Sequence, residues 1–369
     1  MIKYPVIGIS IFIIFFIGIY VGSAEIFPYQ VLKSIKNQIS NVSLEDMENE
    51  VNSRFEPSNY IKLKNEDDVK VKKSQLIDYI WNDNKLSNKE PTKIDIETDN
   101  DFQFRNLDNI EALEIKMEHN VNSIIYIFHP LEKNNDVMIY HQGHSGGFKN
   151  GKLTIERFVN SGYTVAAFSM PLIGMNDKPM VELENIGLIK LQKHNQFEFV
   201  KTDEFSPIKY FLEPINQTLN YLEKNYEFSK YHMIGISGGG WTTTVYPAID
   251  DRISKSFAVS GSIPLPLRYK IQDIGDWEQN DPELYKISNY LELYVMNSVG
   301  EGREFVQIFN RYDPCCFDGT LYELYQDEVK TALREIGSGQ FSIFLDESHR
   351  EHKISEITIN YVLENIEED

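Results

Sequence analysis

Cysteine is almost missing from this sequence: 369 residues carry two, Cys315 and Cys316, adjacent in the chain. A disulfide framework and a four-cysteine zinc site are thereby excluded. Basic residues are short as well, 36 Lys and Arg against 56 Asp and Glu, a formal charge of −20. A charge of that sign repels phosphate backbones, which excludes nucleic acid as a general partner and disfavours adsorption to anionic lipid through a basic surface. Internal repeats and low-complexity tracts are also missing. What is there is apolar material: 41% hydrophobic and 12% aromatic residues can bury a large core, so wholesale disorder is excluded too.

One long hydrophobic run stands at the N-terminus. Tyr4 to Ala24 is 21 residues without a charge, preceded by Lys3 and followed by Glu25. As a helix rising about 1.5 Å per residue it spans about 30 Å, the thickness of a bilayer's hydrocarbon core. Residues 1–24 therefore read as a transmembrane signal anchor, or as a signal peptide cut after Gly22-Ser23-Ala24. Lys3 on the short side keeps the N-terminus in the cytoplasm and places everything after the run outside it, membrane-anchored or secreted. Residues 25–105 form an acidic, membrane-proximal extension with one or two helices around islands such as Leu76-Ile77 and Tyr79-Ile80-Trp81, some of them packing on the main domain. Asn41-Val42-Ser43 and Asn216-Gln217-Thr218 fit the N-glycosylation pattern.

Beyond residue 106 the pattern changes to short Val-, Ile-, Phe- and Tyr-rich runs alternating with helical periodicity. Strands are expected at 110–117, 122–129, 137–141, 163–169, 232–236, 254–260, 305–310 and 341–345. Helices are expected at 153–160, in a segment ending near Asn225, and at 239–249, 321–336 and 355–366. Ser355 is placed as an N-cap, and Pro214 marks a helix start or a kink. Such alternation builds an α/β domain, a mostly parallel central sheet with helices on both faces, whose sites gather at the carboxyl ends of the strands.

Within it, the strand at His232–Ile236 runs into Gly235-x-Ser237-x-Gly239, and a helical pattern follows at once. That context is what a nucleophile elbow demands: a tight turn that thrusts the serine above the sheet at a helix N-terminus. A dinucleotide-binding turn would place its glycines after the first strand of the domain, whereas this turn follows roughly the fifth. At these residues the sequence resembles the α/β-hydrolase superfamily over about residues 110–366. The elbow, the upstream His141-Gln142-Gly143-His144 turn and the order Ser, acid, His carry the resemblance.

The resemblance implies an α/β-hydrolase fold over 106–369 with a small cap insertion at about 261–303. It also implies a Ser-His-Asp triad working without a cofactor or metal. Ser237 is then the nucleophile, His352 the base leading into the terminal helix, and Asp313, after a late strand, the acid that fixes the imidazole tautomer. Asp318 is the reserve acid. His349, read as a surface loop residue, is the reserve base. The oxyanion donors are the Gly238 amide and one amide of the turn, His144 or Gln142. His349 and His352 have H-x-x-H spacing, but a metal would need a third ligand. Tyr285, Tyr290, Tyr294 and Met296 read as packing, and Cys315-Cys316 as a vicinal disulfide or two buried thiols. The function expected is hydrolysis of a small-molecule carboxylic ester through an acyl-enzyme. A peptidase of the same fold and a non-catalytic ectodomain on a hydrolase scaffold are the alternatives.

Overall fold

The eight predicted strands and one not predicted, at Thr92–Ile94, pair into one nine-stranded sheet in a computed structural model, which describes residues 51, 54–95, 101–268 and 275–367. β1 (Thr92–Ile94), β2 (Leu107–Ile115) and β3 (Ser123–Pro130) form an antiparallel edge. β4 (Val137–His141), β5 (Thr164–Phe168), β8 (Tyr231–Ile236), β9 (Ile253–Val259), β10 (Glu304–Asn310) and β11 (Gln340–Asp346) run parallel, in the overall order β1-β2-β3-β5-β4-β8-β9-β10-β11. The short strands β6 (Met180–Leu183) and β7 (Gly187–Lys190) pair apart as a hairpin, which the sequence reading missed because neither is buried along its length.

Alternation along the strands divides the core between the two faces. Met138, Tyr140, Ile234, Ile236, Phe257, Val259, Val306 and Ile308 point to one face. There they meet Ile155, Phe158 and Val159 of α2 (Lys152–Asn160) and Ile359, Val362 and Ile366 of α8 (Glu356–Glu367). The N-cap at Ser355 is as expected, its Oγ accepting from the Thr358 amide at 3.0 Å. The other face is covered by α3 (Lys209–Asn225), α4 (Gly238–Val245) and α6 (Tyr290–Ser298), the last tied to α4 by Asn297, whose Nδ2 donates to the Thr243 carbonyl at 3.0 Å. Pro214 sits inside α3 rather than at its start. The helix expected at 321–336 is a 3-10 turn, Leu321–Leu324, followed by α7 (Gln326–Ile336).

Three expectations need correction. The compact unit begins at Glu56, not at residue 106. Its first helix, α1 (Glu66–Trp81), is capped by Asn65 and carries Glu66, Asp67 and Asp68 in its first turn, where the helix dipole favours acids. Leu76 and Ile80 are buried, and the Trp81 indole donates to Glu213 of α3 at 2.5 Å, so this helix packs on the main domain as expected and belongs to the folded unit. The cap, expected over 261–303, is shorter. Parallel neighbours β9 and β10 require a crossover, and α6 supplies it with all nine residues buried. Only the segment before it, including α5 (Pro282–Ile287), is an excursion from the sheet. Tyr290 and Tyr294 are then packing, with the Tyr294 ring stacked on Phe341 at 6.0 Å. Finally, Asn216 is fully buried, donating to the Ser87 carbonyl at 2.7 Å and accepting from Arg252 at 2.9 Å, so its sequon is closed to glycosylation in the folded chain. Tyr4–Ala24 and Asn41 lie outside the described residues. Among the described residues no helix is long and apolar enough to cross a membrane.

At the antiparallel edge, buried Glu111 of β2 gathers His129 (3.0 Å), Tyr226 (2.6 Å) and Lys93 of β1. The His129 hydrogen bond is the largest of the influences that bring its carboxyl down to about 2, and those of Lys93 and Tyr226 add to it against the opposing effect of burial. A carboxylate lowered on folding contributes stability above its unfolded pKa and loses it as pH falls towards the folded one. Glu111→Gln should therefore destabilise by about 1.5–3 kcal/mol at neutral pH, the worth of charged hydrogen bonds. It should also flatten the loss of stability between about pH 4.5 and 2, measured by urea unfolding across that range.

Candidate active site

The strand-to-helix turn after β8 forces backbone segments together. A Cβ at Gly235 would overlap the Gly239 carbonyl, and one at Gly239 would overlap the carbonyl of His141, at the end of β4. One at Gly143 would come within 2.6 Å of both the Ile236 oxygen and the Ser237 Cβ. Only glycine fits these three positions, which is why the turn after β4 lies directly against the elbow. Ser237 itself takes φ 57° and ψ −123°, a conformation L residues rarely adopt, held by its amide donating to Val259 at 2.9 Å and by the Trp241 amide donating to its carbonyl at 2.9 Å. Its side chain is half-buried, at the N-terminus of α4.

Asp313 lies three residues past β10 and His352 six past β11, at the carboxyl edge of the parallel strands that Ser237 also occupies. Asn310 Nδ2 donates to the Lys353 carbonyl at 2.9 Å and ties the two loops together. His352 Nδ1 donates to Asp313 Oδ2 at 2.7 Å, while the other carboxylate oxygen accepts the amides of Cys315 (2.8 Å) and Cys316 (3.1 Å). Burial pushes the Asp313 carboxyl up, but the His352 hydrogen bond, its charge and the two amides prevail, leaving it below the usual carboxylate range. Nε2 of His352 is buried without a hydrogen-bond partner. The two cysteines are disulfide-bonded to each other.

The reserve residues sit elsewhere. Asp318 is exposed. His349 is not a surface residue: its ring is 7% exposed, with Nε2 3.4 Å from Asp346 and Nδ1 accepting from the Glu351 amide at 3.1 Å. Asp346 in turn binds Ser348, Ser355 and Thr358, a knot that fixes the loop and the start of α8.

In the β4 turn, the amide of Gln142 is committed to the Phe168 carbonyl at 3.0 Å, and its side chain accepts from Tyr140. His144 stands over the first residue of α4: a Cβ on Gly238 would lie 2.7 Å from its Nδ1. Both nitrogens of that ring face carboxylates, Nε2 lying 2.8 Å from Glu278 and Nδ1 3.2 Å from Asp276. His194 approaches Glu278 at 3.1 Å as well. Burial pushes the fully buried Glu278 up, and the His194 charge with the two ring contacts reverses this, holding its carboxyl well below the usual range. Sequence reasoning missed His194 and Glu278. The acidic-aromatic run Asp276-Trp277-Glu278-Gln279 was the only signal, and nothing in it pointed to a histidine 84 residues away. A cavity of about 480 Å³ opens beside this cluster, lined by His144, Ile173, Gln192, His194, Asp276 and Trp277 among others.

The tightest of these contacts sets a clear expectation. Gly239→Ala should cost about 3 kcal/mol or more, since the obstructing His141 carbonyl is sheet backbone and cannot give way. Thermal unfolding of the purified variant measures it.

No protein-family model matches the sequence, and no curated protein sequence matches it. Solved structures do. Methylesterase BT1017 superposes with a TM-score of 0.56 at 14% identity, over 82% of this chain and 62% of that one. The chain thus spans somewhat less than two thirds of that protein's length. An acetyl xylan esterase from Paenibacillus sp. R4 gives 0.52 at 13% identity, over 84% of this chain and 96% of that one. Acetyl Xylan Esterase 1 from Thermoanaerobacterium sp. JW/SL YS485 gives 0.52 at 12% identity, over 80% and 92%. With a sheet of this order and an elbow of this shape, the chain has the α/β-hydrolase fold.

Proposed function

We propose that this chain is a serine esterase that cleaves a small carboxylic ester through an acyl-enzyme. The observation that carries the reading is the Asp313–His352 pair at the sheet edge of Ser237, with the imidazole Nε2 buried and left without a partner. In this reading that nitrogen takes the proton of the Ser237 hydroxyl as the oxygen attacks the ester carbonyl, then returns it to the departing alcohol. Asp313 keeps the ring's other nitrogen protonated and stabilises the imidazolium. The Gly238 amide, at the positive end of α4, and the His144 amide bind the developing oxyanion. His144 is preferred over Gln142 because the Gln142 amide already serves Phe168. Water on the same path releases the acyl group, with no cofactor. The methylesterase and acetyl xylan esterases of the same fold support a small acyl or alkyl group in the ester.

A fluorophosphonate probe should label Ser237 covalently, and Ser237→Ala should lose both labelling and hydrolysis of a p-nitrophenyl ester. Wild-type protein that stays unlabelled across the neutral range would sink the esterase reading. Within the site, His352→Ala should lose about 10³-fold or more in turnover while His349→Ala stays within about tenfold. The two variants are compared at a temperature where circular dichroism shows both folded, because His349 is buried against Asp346 and its loss costs stability.

We further propose that residues 1–24 anchor the chain with the folded unit outside the cytoplasm. Intact protein should stay with membranes through an alkaline carbonate wash, and a chain starting at Glu25 should be soluble and keep its esterase activity. A mature N-terminus near Glu25 in the native host would replace the anchor with a cleaved signal.

A further inference from the structure

The cluster beside the β4 turn presents a problem of proton counting. His194 Nε2 lies 2.9 Å from the Pro171 carbonyl, and its Nδ1 lies 3.1 Å from Glu278 Oε2. His144 Nδ1 lies 3.2 Å from Asp276 Oδ2, and its Nε2 lies 2.8 Å from Glu278 Oε1. All four partners are oxygens that only accept. Protons alone satisfy both Glu278 oxygens only if His144 Nε2 and His194 Nδ1 each carry one, and His194, which also donates to Pro171, is then doubly protonated. His144 Nε2 and His194 Nδ1 would then point two N–H groups at each other across 3.2 Å.

One divalent cation resolves the conflict. Each ring then keeps a single proton, on His144 Nδ1 for Asp276 and on His194 Nε2 for Pro171. Each turns its remaining lone pair to the ion. Two nitrogens 3.2 Å apart are close to the roughly 3.3–3.4 Å that two ligands at about 2.0–2.1 Å subtend at a tetrahedral ion. The outward nitrogen of His194 donates to the Pro171 carbonyl and that of His144 lies 3.2 Å from the Asp276 carboxylate, the kind of outer contact that orients histidine ligands at metal sites. Glu278, fully buried with an oxygen toward each ring, supplies the negative ligand and needs a counter-charge where it lies. The cavity of about 480 Å³ gives the ion an entry path and room for a fourth, exchangeable ligand.

We propose that His144 Nε2, His194 Nδ1 and Glu278 form a site for a divalent transition-metal ion of the zinc class, with Asp276 and the Pro171 carbonyl orienting the two imidazoles. Two histidines and one glutamate are a set that zinc accepts with an open position. The ion joins the turn after β4, the 194–199 segment and the 276–280 segment at one point, with the ring of His144 against Gly238. None of the three ligands is the nucleophile, the base or its acid; His144 alone enters both readings, through its backbone amide in the esterase reading and through its ring nitrogen here.

The test uses the full chain in detergent, stripped with chelator, loaded with zinc chloride and passed through a desalting column. Metal is counted by mass spectrometry and affinity by competition with a chromophoric chelator. Wild-type and Ser237→Ala should each retain one zinc per chain, and the ion should raise the melting temperature of both. Glu278→Gln and His194→Ala should lose it. Both sites are buried and either variant could misfold, so Asp276→Asn, whose side chain is 50% exposed, serves as the folded test and should weaken zinc binding about 10–100-fold. A wild-type chain that retains no zinc overturns the proposal in favour of a cluster held by protons alone. Zinc retained equally by the Glu278→Gln and Asp276→Asn variants overturns it too. Loss of esterase activity in Ser237→Ala alongside retained zinc leaves the two readings separately judged.

Discussion

Everything at this site follows from one steric constraint: the backbone of α4's first turn passes the end of β4 with no room for a side chain between them. Gly239 lies against the His141 carbonyl and Gly143 against Ser237, so the serine turn and the β4 turn are locked into one unit. With both flanks fixed, the residue between β8 and α4 must take up the leftover rotation, and Ser237 does so at φ 57°. Such strain persists only where the surroundings over-determine it. Here they do, through the sheet on one side and the helix on the other. The same lock sets Gly238, and the helix end it begins, beside the His144 ring.

Two buried carboxylates treat their histidines differently, and the difference separates their roles. Asp313 spends one oxygen on His352 and the other on two backbone amides, so a single imidazole is fixed through Nδ1 while its Nε2 is left over. A base needs such a free nitrogen. Glu278 spends both oxygens on rings, and Asp276 and Pro171 take the remaining nitrogens, so neither His144 nor His194 has a lone pair to offer a substrate. The first arrangement suits proton transfer. The second suits holding a cation and fastening chain segments.

The elbow, all six parallel strands and the Asp313–His352 partners were legible because each depends on local sequence: glycines at fixed spacing, runs of β-branched residues, loops that follow particular strands. The limits of that reading are equally physical. The extension was expected to dock helices on the domain, and Leu76, Ile80 and Trp81 do dock α1; the domain boundary was set too late, at 106 instead of Glu56, because apolar positions before it are few. The cap looked long because α6 shows no amphipathic stripe: it is buried on every side, Glu292 and Asn297 included. Asn216 matched a sequon whose chemistry requires exposure, and exposure is a tertiary property.

His349 shows the same limit at the scale of one residue. Between Ser348 and Arg350, both exposed, it reads as a surface residue, and only the fold reveals Asp346 beneath it. Asp346 holds the loop through Ser348 and the head of α8 through Ser355 and Thr358. His349 therefore braces the loop from below, and three residues on the chain delivers His352 to Asp313. Two histidines spaced H-x-x-H thus divide between neighbouring carboxylates, Asp346 at the end of β11 and Asp313 beyond β10. The division follows from strand register: β10 and β11 pair Asn310 with Asp346, so the two acids lie one loop apart at the same edge. The histidine nearer the strand reaches the acid on its own strand, and the one nearer the helix reaches across to the neighbouring connection, above the sheet where Ser237 is presented.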